Sequence, residues 1–178
     1  MVGCMEQLYN EIQMRFPVTG FTRQRENLAF MYITPQHAVS LITHLRDICG
    51  FSHLVLMTCV DWIEQEQFQV TYLLHNYTDH TDLGIKILIP RKLPIMDSIH
   101  HLWEQARTYQ RELHEMFGLD FPGSPGMEEP FILEGWQGPP VMRRDFDTKK
   151  YSDETYSHRP REIHEPEQHM QQQMYPED

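Results

Sequence analysis

The stretch HLVLMTCVD-WIEQEQ-FQVTYLLH-NYTDHTD-LGIKILIP, His53 to Pro90, decides the fold. It holds three runs rich in β-branched, aromatic and aliphatic residues, separated by short polar links. The first, His53 to Asp61, is apolar enough for a central strand. The second, Phe68 to His75, opens with alternation, setting Phe68, Val70 and Tyr72 on one side. The third, Leu83 to Pro90, alternates Leu83, Ile85, Ile87 and Ile89. Period-2 patterning of this kind predicts strands with one buried face, and links this short predict antiparallel neighbours.

Upstream, Leu28 to Ile33 (LAFMYI) predicts a further strand. Thr34-Pro35 then supplies an N-cap followed by proline at the first helical position. The helix that follows places Val39, Ile42, Leu45 and Ile48–Cys49 on one face, and Gly50 is a natural stop. Before these, Leu8, Ile12 and Phe16 recur at helical spacing over Met5 to Phe16, ended by Pro17. Downstream, a helix capped by Asp97 or Ser98 runs to Gly118 and gathers its apolar residues, including Trp103, Leu113, Met116 and Phe117, in one arc. Its other face carries Glu104, Arg107, Arg111 and Glu115, with Glu112 at the boundary. Arg107 and Arg111 are a like-charge i,i+4 pair, unfavourable by a few tenths of a kcal/mol (roughly) unless acids such as Glu104 and Glu115 compensate. The order helix, strand, helix, three strands, helix predicts an α+β fold over residues 1–120. It is a two-layer sandwich of a mainly antiparallel sheet with helices on one face.

The character changes beyond residue 120. From Phe121 to Pro140, five of twenty residues are proline and four are glycine, which excludes a helix or a central strand. Yet the segment also holds Phe121, Met127, Phe131, Ile132, Leu133 and Trp136, too much apolar surface for a plain linker. Residues 121–146 therefore read as a loop that lies along a surface, either that of its own domain or that of another subunit. Residues 147–178 have no glycine, six apolar or aromatic side chains, and eight acids against four bases. They predict an acidic extended tail that orders only on a partner.

A net charge of -11 argues against nucleic acid, because phosphates need concentrated Lys and Arg. The three cysteines, Cys4, Cys49 and Cys59, are far apart and suit a reduced compartment rather than an iron–sulfur or zinc site. No apolar run reaches the roughly 18 residues that span a bilayer, and no basic n-region precedes an apolar h-region. His114-Glu115 opens like a zinc-protease motif, but Gly118 stands where the second histidine belongs. No dinucleotide fingerprint, phosphate loop or nucleophile elbow is present. A stand-alone metal-binding domain built on histidines such as His158, His164 and His169 is kept as the reading from another class.

The helix and the loop together carry a resemblance. W103-x-x-A106-x-x-Y109-x-R111-E112-x-x-E115-M116-F117-G118-L119-x-F121 resembles the signature of the 30-kilodalton subunit family of respiratory complex I and related membrane-bound nickel–iron hydrogenases. W136-x-G138-x-P140-x-M142-R143-R144-D145-F146 resembles that family's closing element, and the order of Asp61, FQVTYLL, LGIKILIP and Ser98 is similar too. The likeness covers about residues 25 to 150. The chain departs from the family at Gly123-Ser124-Pro125 and Gly138-Pro139-Pro140, where histidines are usual, and at Glu115, where aspartate is usual.

The resemblance implies a non-catalytic peripheral-arm subunit of an NADH:quinone oxidoreductase, with no active site of its own. It implies no cofactor bound by this chain, while NADH, FMN, iron–sulfur clusters and quinone belong to the complex. The implied partners are the large hydrogenase-like subunit and neighbouring arm subunits, with the membrane's cytoplasmic face reached only through them. The family likeness makes residues 121–146 a partner-binding loop. The residues expected at the subunit interface or as motif residues are Trp103, Arg111, Glu112, Glu115, Phe117, Gly118, Trp136, Gly138, Pro140, Arg143, Arg144, Asp145 and Phe146. Of these, Arg111, Glu112 and Glu115 would stabilise the helix–loop junction or bridge to the partner, the first being preferred because they lie on the helix that carries the loop. The equivalent subunit of an energy-converting hydrogenase is the alternative within the family.

Overall fold

The computed structural model describes residues 4–156. The chain divides into two compact units, Met1–Phe146 and Asp147–Asp178. In the first, the elements run α1 (Cys4–Gln13), β1 (Val18–Arg25), β2 (Leu28–Ile33), α2 (Pro35–Asp47), β3 (His53–Trp62), β4 (Gln67–Asn76), β5 (Thr81–Pro90) and α3 (Ala106–Phe117). The five strands form one sheet in the order β1-β2-β5-β4-β3. All pairings are antiparallel except β2 with β5, which run parallel. The expected α+β architecture, with a mainly antiparallel sheet and helices on one face, is the one observed.

The alternation seen in the sequence is the alternation of burial. Phe68, Val70, Tyr72 and Leu74 of β4 are fully buried, as are Leu83, Ile85 and Ile87 of β5. They pack with Ala29 and Met31 of β2, Leu41, Ile42 and Leu45 of α2, and Leu113 of α3. Burying each large aliphatic or aromatic side chain contributes about 1.5–3 kcal/mol, so this one-sided layer is the main source of stability.

Four details differ from expectation. β1 is a strand that the sequence hides, because VTGFTRQR offers little apolar alternation and the pairing is interrupted by two bulges. The buried stripe of α2 is Ala38, Leu41, Ile42 and Leu45, while Val39 is half-buried and Ile48 is 71% exposed. Ile48 is already the C-cap, where the chain turns away from the core. The helix expected from Asp97 or Ser98 begins only at Ala106. Before it, i→i+3 turns run through Leu102 and Ala106, and side chains are spent on the outer edge of β3. Trp103 Nε1 donates to the Ser52 carbonyl at 2.8 Å, Gln105 donates to the Leu54 carbonyl, and Tyr109 Oη donates to the Val55 carbonyl at 3.0 Å. Ser98 is no cap; its hydroxyl donates to Gln110 Oε1 at 2.8 Å.

In the second unit, Thr148–Thr155 form a short helix, α4, whose N-cap Asp147 accepts from the Lys150 N–H at 2.9 Å. Composition alone predicts no element there. The cap and a run free of glycine and proline suffice for two turns. The remainder of the predicted tail, including His158, His164 and His169, lies outside the described residues.

Candidate functional site

The loop after α3 is irregular in path but closely fastened. Phe121 leaves the helix fully buried in the core. Ser124, 9% exposed, donates its hydroxyl to Gln110 Oε1 at 2.7 Å. Gln110 is thus an internal acceptor, fully buried, that joins Ser98 before the helix to Ser124 after it.

Two charged residues of α3 then hold the middle of the loop. The Glu115 carboxylate accepts from three consecutive backbone N–H groups, Phe131 at 2.8 Å, Ile132 at 2.9 Å and Leu133 at 3.1 Å. Burial pushes this carboxyl up, but the three N–H donors and Arg111 outweigh it and set the group below its ordinary value. Arg111, one helical turn earlier, donates to the Glu129 carbonyl at 3.3 Å and the Pro130 carbonyl at 2.6 Å. One helix turn therefore satisfies donors and acceptors in five consecutive residues that have no secondary structure of their own. Glu112, between them in sequence, takes no part in these anchors. Arg107 pairs with Glu104 on the outer face.

The end of the loop is fixed to the C-terminus of α3 and to the sheet. Gly118 ends the helix with φ +75, a conformation costly for other residues, and its missing Cβ leaves room for Arg143 Nη2 at 2.7 Å and Pro140 Cγ at 3.0 Å. Arg143 Nε donates to the Phe117 carbonyl at 2.6 Å, and the Met142 N–H donates to the Met116 carbonyl at 2.9 Å. A cation at this position meets free carbonyls and the negative end of the helix dipole. Trp136 lies over Gly138, whose Cβ would fall 2.5 Å from the indole, and meets Phe146 edge-on at 5.9 Å.

Beneath this lies a buried carboxylate, Asp61, at the end of β3. Its side chain is 2% exposed and faces Arg91 Nε at 2.8 Å. It also accepts from Arg91 Nη2 at 3.0 Å and from the Arg144 backbone N–H at 2.9 Å. Arg91 reaches on to Asp145 at 2.9 Å, and Arg144 pairs with Glu64 at 2.7 Å on the surface. The guanidinium groups of Arg91 and Arg143 lie 5.4 and 5.3 Å from the centre of the Phe68 ring, and Phe117 meets that ring edge-on at 6.1 Å. Of these partners, Arg91 and Glu64 carry no sequence signal: both are charges beside strand ends, and only the folded register brings them to Asp145 and Arg144.

The site residues thus fall into three groups. Trp103 anchors the helix to β3. Arg111, Glu115, Phe117, Gly118, Pro140 and Arg143 join helix to loop. Arg144 and Asp145 join loop to sheet, while Trp136 packs on Gly138 and Phe146. An open cleft of about 490 Å³ remains between α3 and the loop, lined by Arg111, His114, Glu115, Met127, Leu133 and Trp136 among others. On its wall, Arg111 and Glu115 are engaged with the backbone of residues 129–133, and Arg111 also lies 3.8 Å from Glu129. Among the described residues, no group of three or more His, Cys, Asp and Glu is placed to hold a metal ion, and no helix is long and apolar enough to cross a membrane.

Comparison with known proteins places the sequence and the fold in a family. The chain is 27% identical over 142 residues to a subunit of the NADH-quinone oxidoreductase of Moorella thermoacetica, spanning 80% of this chain and 95% of that one. It is 31% identical over 173 residues to the corresponding subunit from Dinoroseobacter shibae, spanning 93% and 79%. Its fold matches a chain of the membrane-bound sulfane sulfur reductase, an archaeal respiratory membrane complex, with TM-score 0.81 and 24% identity over 92% of this chain and 97% of that one. It also matches the trypsin-resistant fragment of Nqo5 with TM-score 0.61 and 19% identity, over 68% and 97%. The family model described as respiratory-chain NADH dehydrogenase, 30 Kd subunit, matches residues 31–152. This chain belongs to the 30-kilodalton subunit family of respiratory-chain NADH dehydrogenase.

Proposed function

We propose that this chain is a non-catalytic peripheral-arm subunit of a complex I-type NADH:quinone oxidoreductase, and that the face made by α3 and residues 121–146 holds the large hydrogenase-like subunit. In this role it scaffolds the quinone-site subunit while electrons pass from NADH through FMN and iron–sulfur clusters carried by other chains. It sits on the cytoplasmic face of the membrane through those partners. One observation carries the reading. The loop's backbone is fastened by Glu115, Arg111 and Arg143, yet Ile132 is 68% exposed and Met142 57% exposed. A segment held this firmly with aliphatic side chains turned to solvent is made for contact with another surface.

The test is recovery of the tagged full chain from its native membrane, with partners identified by mass. Recovery with a large subunit and a flavin-containing NADH module is expected. A large subunit with four nickel-ligating cysteines and no flavin module would replace the reading with an energy-converting hydrogenase. NADH or quinone turnover by the isolated chain would overturn the non-catalytic role.

A further inference from the structure

The sheet has a second face, and no helix of the first unit covers it. Cross-strand pairing aligns its residues in rows: Trp62 with Gln67 and Pro90, then Val60 with Gln69 and Leu88. The next two rows begin at Thr58 and Leu56 and extend through β4 and β5 to Tyr32 and Phe30 of β2. Four successive rows therefore carry one charged side chain, Lys86, in a chain that is 23% charged with net charge -11. Trp62, Val60 and Leu88 are 39%, 40% and 38% exposed. A solvated sheet face ordinarily alternates charge into these positions, whereas depletion of charge with retention of aromatic and aliphatic groups marks the core of an interface.

The surface is also flattened. Phe30 lies across Gly84, with its Cδ1 2.3 Å from where a Cβ would stand, and Lys86 Nζ lies 4.4 Å from the Phe30 ring centre.

We propose that this open face is a second docking surface, fitted to an apolar face of a neighbouring subunit that sets a carboxylate opposite Lys86. The inference rests on the proposed place of the chain in a multi-subunit complex, and it makes the chain a bridge between two neighbours. Charge decides the occupant. A second copy offers Lys86 one acid from this face, Asp82, which His75 already holds at 2.8 Å, so two Lys86 ammonium groups would be buried without a free carboxylate. An anionic lipid surface attracts clusters of four or more (roughly) basic residues, not one lysine in an acidic chain. The face is also continuous with the loop's anchors, since Trp62 lies between Asp61 and Glu64, which hold the backbone and side chain of Arg144.

The experiment uses the tagged full chain expressed in its native host, with Val60→Glu, Leu88→Glu and Lys86→Glu compared with Met14→Glu. Met14 is 80% exposed in the turn after α1. Thermal melting of each variant first establishes that it folds. If Leu88→Glu melts early, Lys86→Glu replaces it, because that change adds no strain to the sheet. The three face variants are expected to lose one co-purifying subunit by about tenfold or more while Met14→Glu keeps all of them. Undiminished recovery with Val60→Glu and Leu88→Glu would overturn the proposal while leaving the loop's role intact. So would a dimer of the isolated chain that Leu88→Glu dissociates, or binding to phosphatidylglycerol vesicles that Lys86→Glu abolishes. A wild-type chain that recovers no subunit would remove both readings.

Discussion

Replacing Glu115 with alanine should free the middle of the loop while the sheet stays folded. The carboxylate receives three backbone N–H donors within 2.8 to 3.1 Å. Hydrogen bonds to a charged group contribute about 1.5–3 kcal/mol each when judged singly. They do not add here, because Ile132 is 68% exposed and the freed N–H groups regain water. A net loss of about 2–3 kcal/mol for local closure is reasonable, which is roughly a 30- to 150-fold faster amide exchange at residues 131–133. Amides of β4 serve as the internal reference, since they exchange only through opening of the whole sheet. Glu115→Gln keeps one acceptor oxygen without the charge and should fall between the two. Rapid exchange at 131–133 in the wild type, or equal exchange in wild type and Glu115→Ala, would refute the anchor. Equal acceleration of the β4 amides would instead make Glu115 part of global stability.

The same anchor has a pH signature. The folded Glu115 carboxyl titrates below its ordinary value of 4.5, so the charged form is favoured by the closed loop. Its contribution is fully present above 4.5 and is lost as pH falls through the lower folded value. Protection at 131–133 should therefore decay on acidification before that of β4, and Glu115→Gln should flatten the decay.

Four further outcomes follow from the site. Arg143→Ala should cost about 2–3 kcal/mol in a thermal melt, because it removes a bond to a helix-end carbonyl and the stacking on Phe68. Arg144→Ala should leave the melt close to that of the wild type, because its ion pair with Glu64 is over half exposed and Asp61 holds its backbone, not its side chain. Equal costs for the two would contradict the geometry. Asp61→Asn removes the buried carboxylate that Arg91 faces while Arg91 keeps Asp145, and should cost about 1–3 kcal/mol by urea denaturation. Burial, and then the Asp61 charge, push the Cys59 thiol up to about 12, so thiol reagents at about pH 8 should modify it only in denaturant. Labelling of the native chain within minutes would show that β3 opens.

Much of the sheet is legible because its side chains follow a local period. Phe68, Val70 and Tyr72 announce their face, and so do Leu83, Ile85 and Ile87. β1 escapes because an edge strand with bulges needs no apolar alternation, and its polar residues face water. The start of α3 escapes for a different reason: Trp103 and Gln105 bond to the β3 edge, a partner some fifty residues away in sequence. The candidate site divides along the same line. Arg111 and Glu115 stand out as charges on a helix, where Glu104 and Glu115 look like compensators for Arg107 and Arg111. Only Arg107 and Glu104 keep that local arrangement. Glu115 and Arg111 turn to backbone groups of the loop, and no pattern of spacing contains that information.

This changes the energetic logic expected of the loop. A Gly/Pro-rich segment that ordered only on a partner would give up about 1–2 kcal/mol of backbone entropy per residue at the moment of binding. Residues 129–133 and 142–145 instead meet their hydrogen-bond partners within their own domain. The ordering cost is thereby carried by folding, and Ile132 and Met142 are presented in place before any partner arrives. The consequence is a separation of roles that mutation can expose. Loss of Glu115 or Arg143 should weaken association by disordering the loop even though neither need touch the partner. Substitution of Ile132 by serine should weaken it without changing exchange at 131–133. If Ile132→Ser and Glu115→Ala both alter exchange to the same degree, the exposed side chain is part of the loop's own packing, and the contact surface must be sought elsewhere.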